Sequence, residues 1–242
     1  MRKLLTMKKL LLLLVSSIAF GQVEKKVGDF NKIKILDKME VTLIPSTYNS
    51  IIIDGLEEPE APEEGEEAVK PSELPDQIVD FTVVEGELQV KRTKKATASA
   101  EAVYITINFK NVSDIEVFKG AIVTNDTTIK TSKLSIVSAD SSEVTLQLNV
   151  ENLTCKVEKA SMITLEGKAK KQEVIVNEKG IYEAENLETT ETVITSNSGQ
   201  TANINASSLV VANACYKGSI TVYGEPMQIY KNRFEGGTVD EQ

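Results

Sequence analysis

The amino-acid sequence predicts an all-β protein, a single-stranded parallel β-helix (a β-solenoid) with coils of about 19 residues. The main observation is that apolar residues recur along residues 117–222 at steps of 18 to 20 residues. One ladder comprises Val117, Ile136, Cys155, Val174, Val193 and Val211. Two further ladders comprise Leu146, Leu165, Ala184, Ile204 and Val222, and Val144, Ile163, Tyr182, Ala202 and Ile220. A fixed period of about 20 residues is typical of solenoids, in which each repeat buries its apolar face only against its neighbours.

The second observation is the alternation of apolar and polar residues within each period. The paired runs include LSIVSAD with EVTLQLNV, LTCKVEKA with SMITLEGK, and QEVIVNE with GIYEAEN. A period of two, with Val, Ile, Thr and Tyr frequent, favours strands over helices. Equivalent side chains of successive coils should therefore stack into core columns. The small or polar separators Ser141–Ser142, Gly180 and Ser198–Gly199 are the predicted corners.

Residues 1–21 have the pattern of a secretory signal peptide, with predicted cleavage near Gly21–Gln22. The segment carries four basic residues, Arg2, Lys3, Lys8 and Lys9. Its apolar stretch is too short to span a membrane, and no membrane insertion of the mature chain is expected. Because export would remove four basic and no acidic residues, the formal charge would change from −9 to −13. Nucleic acids and anionic membrane surfaces are not expected as partners, since both attract basic proteins.

The rest of the chain divides into four predicted parts. Residues 22–55 contain three alternating runs and are predicted to form N-terminal strands or a cap that protects the open edge of the solenoid. Residues 56–77, rich in Glu and Pro, predict a solvated insertion loop, with a weak site for Ca²⁺ or a cationic partner as the alternative. Residues 78–226 are predicted to form the β-helix, entered through a hairpin that turns at Glu85–Gly86. Residues 227–242 follow a proline that should end the last regular strand, and are predicted to be a C-terminal tail or cap.

Histidine and tryptophan are absent from the sequence. A nucleophilic dyad or triad that depends on histidine, and a zinc site with histidine ligands, are therefore excluded. The two cysteines, Cys155 and Cys215, fall three coils apart in the predicted register. This separation exceeds the roughly 7 Å between Cα atoms that a disulfide allows. Both thiols are therefore predicted to be free and buried or partly buried.

The sequence predicts no catalytic, cofactor-binding or metal-ligating residue. The candidate acids for a carbohydrate-active enzyme are Asp140, Glu143, Glu158 and Glu166. Such an enzyme needs paired carboxyl groups across a cleft, whereas these residues are scattered over strand and corner positions and are interpreted as solvated surface charges. The basic run Lys91, Arg92, Lys94 and Lys95 is interpreted as pairing with acidic residues rather than binding nucleic acid.

Three segments together resemble the head GIN domain proteins, the DUF2807 group described as putative autotransporter adhesins and abundant in Bacteroidetes. These segments are VGDFNKIKILDKMEVTLIPS, YITINFKNVSDIEVFKGAIV and GSITVYGEP. The resemblance extends over residues 27–237 and rests mainly on the F-x-x-I-x-I opening and the I-x-V-Y-G-x-P ending. It implies a right-handed parallel β-helix with strand-rich N-terminal coils, and it transfers no catalytic residue. The chain departs from the family in its 56–77 insertion and in corners where Ala-Asp-Ser-Ser or Asn-Glu-Lys-Gly replaces a glycine-rich sequence.

These features predict an exported, non-enzymatic protein, an adhesin-like binding module of the cell envelope or surface. Its partner would be an envelope protein or glycan, bound along one flat face of the β-helix without a cofactor. Two other hypotheses stay open. One is a carbohydrate-active β-helix lyase or glycosidase, which rests on analogy of fold alone; the other is a purely structural envelope protein. The sequence leaves open the oligomeric state and the choice between the periplasm, the outer membrane and the cell surface.

Overall fold

The computed structural model describes residues 23–54, 78–94, 102–197 and 199–242. The predicted signal peptide and the acidic insertion lie outside these residues. Strands account for 69% of the described residues, so the predicted all-β class is confirmed. The strands are β1 (Val23–Lys26), β2 (Lys32–Ile35), β3 (Glu40–Pro45), β4 (Ser50–Ile53), β5 (Val79–Val84), β6 (Glu87–Arg92), β7 (Tyr104–Phe109), β8 (Asp114–Val117), β9 (Ile122–Asn125), β10 (Ile129–Ser138), β11 (Glu143–Val157), β12 (Met162–Asn177), β13 (Ile181–Asn197), β14 (Thr201–Ala214), β15 (Ser219–Tyr223), β16 (Gln228–Arg233) and β17 (Thr238–Glu241).

Strands β8 to β17 form a parallel β-solenoid of about seven turns, which confirms the predicted fold. Each coil consists of two limbs joined by a tight turn. Limb A comprises β7, β3, β9, β15, β17 and the first halves of β11 to β14. Limb B comprises β6, β2, β8, β16, the end of β10 and the second halves of β11 to β14. The long strands bend between their halves at consecutive exposed residues, such as Glu151 and Asn152 in β11.

The first coil in the sequence lies inside the stack rather than at its end. On limb B, β2 pairs in parallel with β6 and β8, so that Ile33 faces both Leu88 and Ile115. On limb A, β3 pairs in parallel with β7 and β9. The coil made by β2 and β3 is therefore inserted between two coils that come later in the chain. Its Ile33 side chain is 1% exposed, because the coils on both sides cover it.

Antiparallel strands cover the N-terminal edge of the solenoid. β5 and β6 form the hairpin predicted from the sequence, which turns at Glu85 and Gly86 with positive φ at both residues. On limb A, β4 pairs antiparallel with β7, and β1 pairs antiparallel with β4. These strands occupy the outer backbone groups of β6 and β7. The parallel stack consequently presents no unpaired edge of its own at this end.

The interior contains the columns that the apolar ladders predict. The ladder from Val144 to Ile220 is in register throughout, and Val239 extends it by one coil. The ladder from Leu146 to Val222 is also buried along its whole length. Because neighbouring columns interdigitate, the described residues form one continuous hydrophobic core.

The remaining predicted ladder is wrong at both of its ends. At the first end, Ile136 stacks on Ile115, because Val117 pairs with Ser138 instead. Ile136, Cys155 and Val174 do stack, but the next member is Ile194 rather than Val193. The cause is an irregularity in the pairing of β12 with β13, where the residues that follow Thr164 shift in register. In a strand, one extra residue turns every later side chain to the opposite face. Val193 therefore points outward and is 42% exposed, while Ile194 is buried.

Tight turns with left-handed backbone conformation join limb B to limb A. The turn residues with positive φ form consecutive pairs, Lys119–Gly120, Asp140–Ser141, Lys159–Ala160, Glu178–Lys179, Tyr216–Lys217 and Glu235–Gly236. The turns also stack on each other, because the Ser141 amide donates a hydrogen bond to the Lys159 carbonyl oxygen at 3.0 Å. The corners predicted at Ser141 and Gly180 are confirmed, whereas Ser198 lies outside the described residues.

Charged residues close the C-terminal end of the solenoid. Residues 228–241 form one more coil, in which β16 pairs with β14 and β17 pairs with β15. Lys231, Arg233 and Glu241 occupy inward positions over buried residues of the coil below. Lys231 forms an ion pair with Glu241, and the Arg233 guanidinium donates to the Val239 carbonyl oxygen at 2.9 Å. Inward-facing charges oppose the addition of another strand at a sheet edge.

The cysteines are free, as the sequence predicted, with Cys155 buried and Cys215 partly buried. Cys155 stacks between Ile136 and Val174 in the core of limb B. Burial raises the pKa of its thiol to about 12, outweighing the opposing effect of a hydrogen bond with Tyr182. Because the thiolate is the reactive form, Cys155 is a structural residue of the core rather than a nucleophile.

Candidate functional site

A column of five threonines, the threonine ladder, runs along the outer surface of limb A. Its members in order along the solenoid axis are Thr106, Thr42, Thr124, Thr145 and Thr164. Each threonine faces the next across a parallel strand pair. Neighbouring members are therefore one strand spacing apart, roughly 4.8 Å.

The alternation of each strand turns the threonines outward. In β11, Thr145 lies between the buried residues Val144 and Leu146. The same arrangement holds around Thr42, Thr106 and Thr164, whereas Thr124 lies between buried Val123 and half-buried Asn125. β-branched side chains pack well on a pleated surface. Parallel pairing in register then places the five side chains in one line, which an antiparallel or staggered sheet would not do.

The ladder hydroxyls are available to a ligand. Thr145 is exposed and the other four members are half-buried. Among the described residues, none of the five hydroxyl groups has a hydrogen-bond partner in the protein. By contrast, an outward column of limb B uses its polar groups internally, since the Asn232 amide donates to Asn213 at 2.8 Å. A threonine hydroxyl can donate one hydrogen bond and accept two, so the ladder offers a row of unused donors and acceptors.

Two shallow depressions follow the ladder. The first has a volume of about 170 Å³ and contains Thr42, Thr106 and Thr124, with Glu40 and Tyr104 among its other lining residues. The second has a volume of about 220 Å³ and includes Thr124 and Thr145, with Asp126, Gln147 and Glu166 around them. Thr124 lines both depressions. The two depressions therefore meet at Thr124, and together they are called the groove.

The groove is acidic and carries an aromatic side chain at one end. Glu40, Asp54, Asp126 and Glu166 line it, and no lysine or arginine among the described residues lines either depression. The Oδ1 atom of Asp54 is buried and has no hydrogen-bond partner within the described part of the chain. Tyr104 is 43% exposed. The groove therefore suits a neutral or cationic ligand that can donate hydrogen bonds to carboxylates.

Hydrogen bonds hold the rim of the groove in place. The Asn125 side-chain amide donates to the carbonyl oxygens of Thr127 and Gln147, both at 2.9 Å, while its oxygen accepts from the Gln147 backbone amide at 2.9 Å. The Gln147 side chain contacts Thr128 and donates to Glu166 at 3.2 Å. β9 ends at Asn125, and the side chain of this residue makes the hydrogen bonds to the β11 backbone that a longer β9 would make. The rim beside Thr124 and Thr145 is preorganised by these contacts.

The ladder ends where carboxylate and amide groups replace threonine. Thr164 faces Glu183, which in turn faces Asn203. The Asn203 amide donates to the Glu183 carboxylate at 2.5 Å. Burial raises the pKa of the Glu183 carboxyl, and the nearby Glu185 raises it further, while the hydrogen bond from Asn203 opposes the shift. These side chains use their polar groups within the column, so the row of unpartnered hydroxyls stops at Thr164.

The four candidate acids are not brought together in one described cleft. Asp140 lies in a corner turn and pairs with Lys159 at 3.3 Å, and Glu158 pairs with Lys156 at 2.8 Å. Glu166 lines the groove, and Glu143 faces Ile122 and Met162 in the column beside the ladder.

The basic run and the metal-ligating residue types add no further site. Lys91 pairs with Asp80 of the neighbouring strand at 3.2 Å, and the Arg92 guanidinium donates to the Lys38 carbonyl oxygen at 3.4 Å. Lys95 lies outside the described residues. Across the described ranges, no group of three or more Cys, Asp or Glu side chains could hold a metal ion. No helix within those ranges is long and apolar enough to cross a membrane.

Comparison with known proteins identifies the family. The sequence model of the family described as "Putative auto-transporter adhesin, head GIN domain" (DUF2807) matches residues 73–226. The chain belongs to the head GIN domain family. Its resemblance to that family is thereby confirmed over the linking and closing segments, whereas the opening segment, residues 27–46, precedes the matched range. The family model begins after β2 and β3, although these strands complete the stack between matched coils.

Several solved structures share the fold of this chain. A putative adhesin from Bacteroides fragilis is 21% identical, with a TM-score of 0.76 over 91% of this chain and 95% of that one. A putative lipid binding protein from Parabacteroides distasonis is 16% identical, with a TM-score of 0.64 over 91% of this chain and 96% of that one. A putative adhesin from Parabacteroides merdae is 16% identical, with a TM-score of 0.62 over 91% of this chain and 95% of that one. No curated protein matches the chain.

The threonine ladder of this head GIN domain protein does not follow from the apolar ladders of its sequence. Part of the signal was present, since Thr145 and Thr164 each follow a member of the ladder that starts at Val144. Thr42 and Thr106 gave no such signal, because their coils are stacked in an order that differs from their order in the chain.

Proposed function

We propose that this chain is exported and acts as an adhesin-like binding module of the cell envelope or surface. Its membership of the head GIN domain family and the signal-peptide pattern of residues 1–21 support this proposal. The relatives from Bacteroides and Parabacteroides described as adhesins are consistent with it. Binding, rather than catalysis, is the activity we assign, because two of the four candidate acids are engaged in corner ion pairs away from the groove.

The threonine ladder is the observation that carries this proposal. Five hydroxyls stand in one line along an acidic groove, and none of them has a hydrogen-bond partner among the described residues. In the free protein, water would solvate these groups. A ligand that replaces that water with hydrogen bonds of equal quality gains affinity without any rearrangement of the rigid solenoid. We assign the outer surface of limb A, centred on Thr124, as the binding face.

The test is capture of partners from envelope extract by the immobilised mature chain, residues 22–242. The variant Thr124→Val/Thr145→Val keeps the shape of the face and removes two hydroxyls. Thr154→Val is the matched control, since Thr154 is an exposed strand residue on limb B. We expect the wild type and the control to capture the same material, and the double variant to lose it. Equal capture by all three proteins would rule out the threonine face as the binding surface.

Two further arms address the acidic insertion and the location. A chain that lacks residues 56–77 should capture the same partners, whereas loss of capture would make the insertion the binding element. An antibody against the mature chain, combined with protease treatment of intact cells, tests export directly. We expect the protein in the envelope or outside the cell, without its first 21 residues. Retention of the uncleaved chain in the cytoplasm would contradict the proposal.

A further inference from the structure

We infer that the threonine ladder binds an uncharged, linear, β-linked polysaccharide that lies along the solenoid axis. This inference rests on the proposed function, because it names the ligand class of the same face. It is carried by three features of limb A: the regular spacing of the hydroxyls, the acidic lining of the groove, and the exposed aromatic ring of Tyr104.

The spacing of the ladder favours a polymer with a short repeat. Identical hydroxyls recur once per coil, at roughly 4.8 Å. An extended β-linked polysaccharide advances by about the length of one sugar ring per residue, which is close to that spacing. In an extended β-1,4-linked chain each sugar is turned over relative to the one before it, so the same sugar edge returns at every second residue and meets every second threonine. A polypeptide ligand lacks this regularity, because its side chains differ from one residue to the next.

The lining of the groove also matches the groups that sugars present. Sugar hydroxyls both donate and accept hydrogen bonds, as threonine hydroxyls do. The carboxylates of Glu40, Asp126 and Glu166 can accept from sugar hydroxyls, and such charge-assisted hydrogen bonds are stronger than neutral ones. The ring of Tyr104, at the end of the groove next to Thr106, offers a flat apolar surface for one face of a sugar ring.

The acidic charge of the groove disfavours negatively charged polysaccharides as ligands. In the part of the chain that the structure describes, four carboxylate residues line the depressions and no lysine or arginine does. Polymers that carry uronate, sulfate or phosphate groups would bring like charges close to Asp126 and Glu166. A basic protein would satisfy the charge but would leave the regular row of neutral hydroxyls unused. The uncharged polysaccharide uses both features.

The experiment is calorimetric titration of the mature chain with neutral β-linked oligosaccharides of graded length, from glucan, mannan and N-acetylglucosamine series. At least one series should bind, and its affinity should rise with length until the ligand spans the five threonines. A uronate oligomer of matched length should bind at least about tenfold more weakly, because of repulsion by the groove. Failure of every neutral series to bind, or equal affinity for the uronate oligomer, would overturn the inference.

Variants separate the ladder from the rest of the surface. Thr124→Val/Thr145→Val should weaken oligosaccharide binding about tenfold or more, since two hydrogen bonds are lost, while Thr154→Val should bind as the wild type does. Tyr104→Ala should weaken the binding of every oligosaccharide length. The affinity should still rise with length as the ligand extends from Thr106 along the ladder. Unchanged affinity in the double variant, in a protein with wild-type thermal stability, would place any sugar binding elsewhere.

The outcome also distinguishes this inference from the proposed function. If the double variant loses capture of envelope material but no oligosaccharide binds, and protease destroys the captured material, the face binds a protein and the polysaccharide inference is wrong. If capture is unaffected by the double variant, the assignment of the binding face itself is wrong. If captured material resists protease and is released by the neutral oligosaccharide, both proposals are supported.

Discussion

The Tyr182 hydroxyl donates a 2.8 Å hydrogen bond to the side-chain oxygen of Gln172 in the interior of the solenoid. The Gln172 amide donates to the Thr192 hydroxyl at 2.9 Å, and that hydroxyl lies 2.8 Å from the hydroxyl of Thr189. The Thr189 hydroxyl in turn donates to the Asn205 carbonyl oxygen at 2.7 Å. This buried chain of hydrogen bonds joins three successive strands, β12, β13 and β14. It lies in the coils whose pairing contains register shifts.

Replacing Tyr182 by phenylalanine tests the energetic role of this network. The variant keeps the ring in its core column but leaves the Gln172 oxygen buried without its donor. An unsatisfied buried polar group costs about 1–3 kcal/mol, and we expect the free energy of unfolding to fall by that amount. Chemical denaturation measures it, with Tyr216→Phe as the control, because Tyr216 is 64% exposed. Equal stability of the two variants would show that the network contributes nothing.

The cysteines provide a prediction for chemical reactivity. In the folded protein at pH 8, iodoacetamide should modify Cys215 and leave Cys155 unmodified, because burial raises the pKa of the Cys155 thiol to about 12. Denaturant should make both thiols reactive. Mass spectrometry of tryptic peptides gives the two extents of modification. Rapid modification of Cys155 without denaturant would contradict its place in the core.

The same thiol makes stability depend on alkaline pH. The ordinary thiol pKa is 9.0 and the folded value is about 12, so the unfolded chain loses this proton first as pH rises. The contribution to stability is therefore fully present below pH 9 and decreases between about pH 9 and pH 12. Cys155→Val, which cannot ionise, should show a smaller fall in unfolding free energy over this range than the wild type. Parallel curves for the two proteins would contradict the predicted shift.

The turn conformation predicts opposite effects for two substitutions. Ala160 has a φ of 58°, where a side chain with a Cβ atom is disfavoured, and Gly236 has a φ of 81° in the equivalent turn of the last coil. Ala160→Gly should raise the free energy of unfolding by about 1 kcal/mol, and Gly236→Ala should lower it by a similar amount. Space is not the cause at Gly236, since an added Cβ would lie 3.5 Å from the nearest atom, Cγ of Lys217. Thermal unfolding of the two variants should therefore shift in opposite directions.

Most of the fold could be predicted from periodicity, because a parallel stack repeats its core residues at nearly constant spacing. The column through Val144 and Ile163 follows directly from that rule. The assignment of Val193 failed because a local register shift after Thr164 cannot be detected from alternation alone. The threonine ladder could be predicted only in part from the sequence. Thr42 belongs to it because its coil is inserted between two coils that come later in the chain.

That inserted coil predicts that residues 23–54 are required for folding. Without β2 and β3, the coil of β6 and β7 and the coil of β8 and β9 would each lose their common parallel neighbour. A chain of residues 78–242, which covers most of the family match, should not show the cooperative unfolding of the mature chain. Addition of a peptide covering residues 23–54 should restore it in part. Cooperative unfolding of the shortened chain, with the same strand content by circular dichroism, would contradict the requirement.

The ion pair between Lys231 and Glu241 predicts that the C-terminal end resists stacking against a second copy of the chain. Both residues stand over the core at the last coil, where apolar side chains would instead present an extendable edge. Lys231→Leu with Glu241→Leu should therefore produce dimers or larger assemblies in size-exclusion chromatography with light scattering. Lys168→Leu with Glu188→Leu is the matched control, because it removes an exposed ion pair from the side of the solenoid and leaves the net charge equally unchanged. Association of the end variant alone would show that the inward-facing charges of the last coil block stacking. Equal behaviour of the two variants would assign the effect to surface hydrophobicity in general.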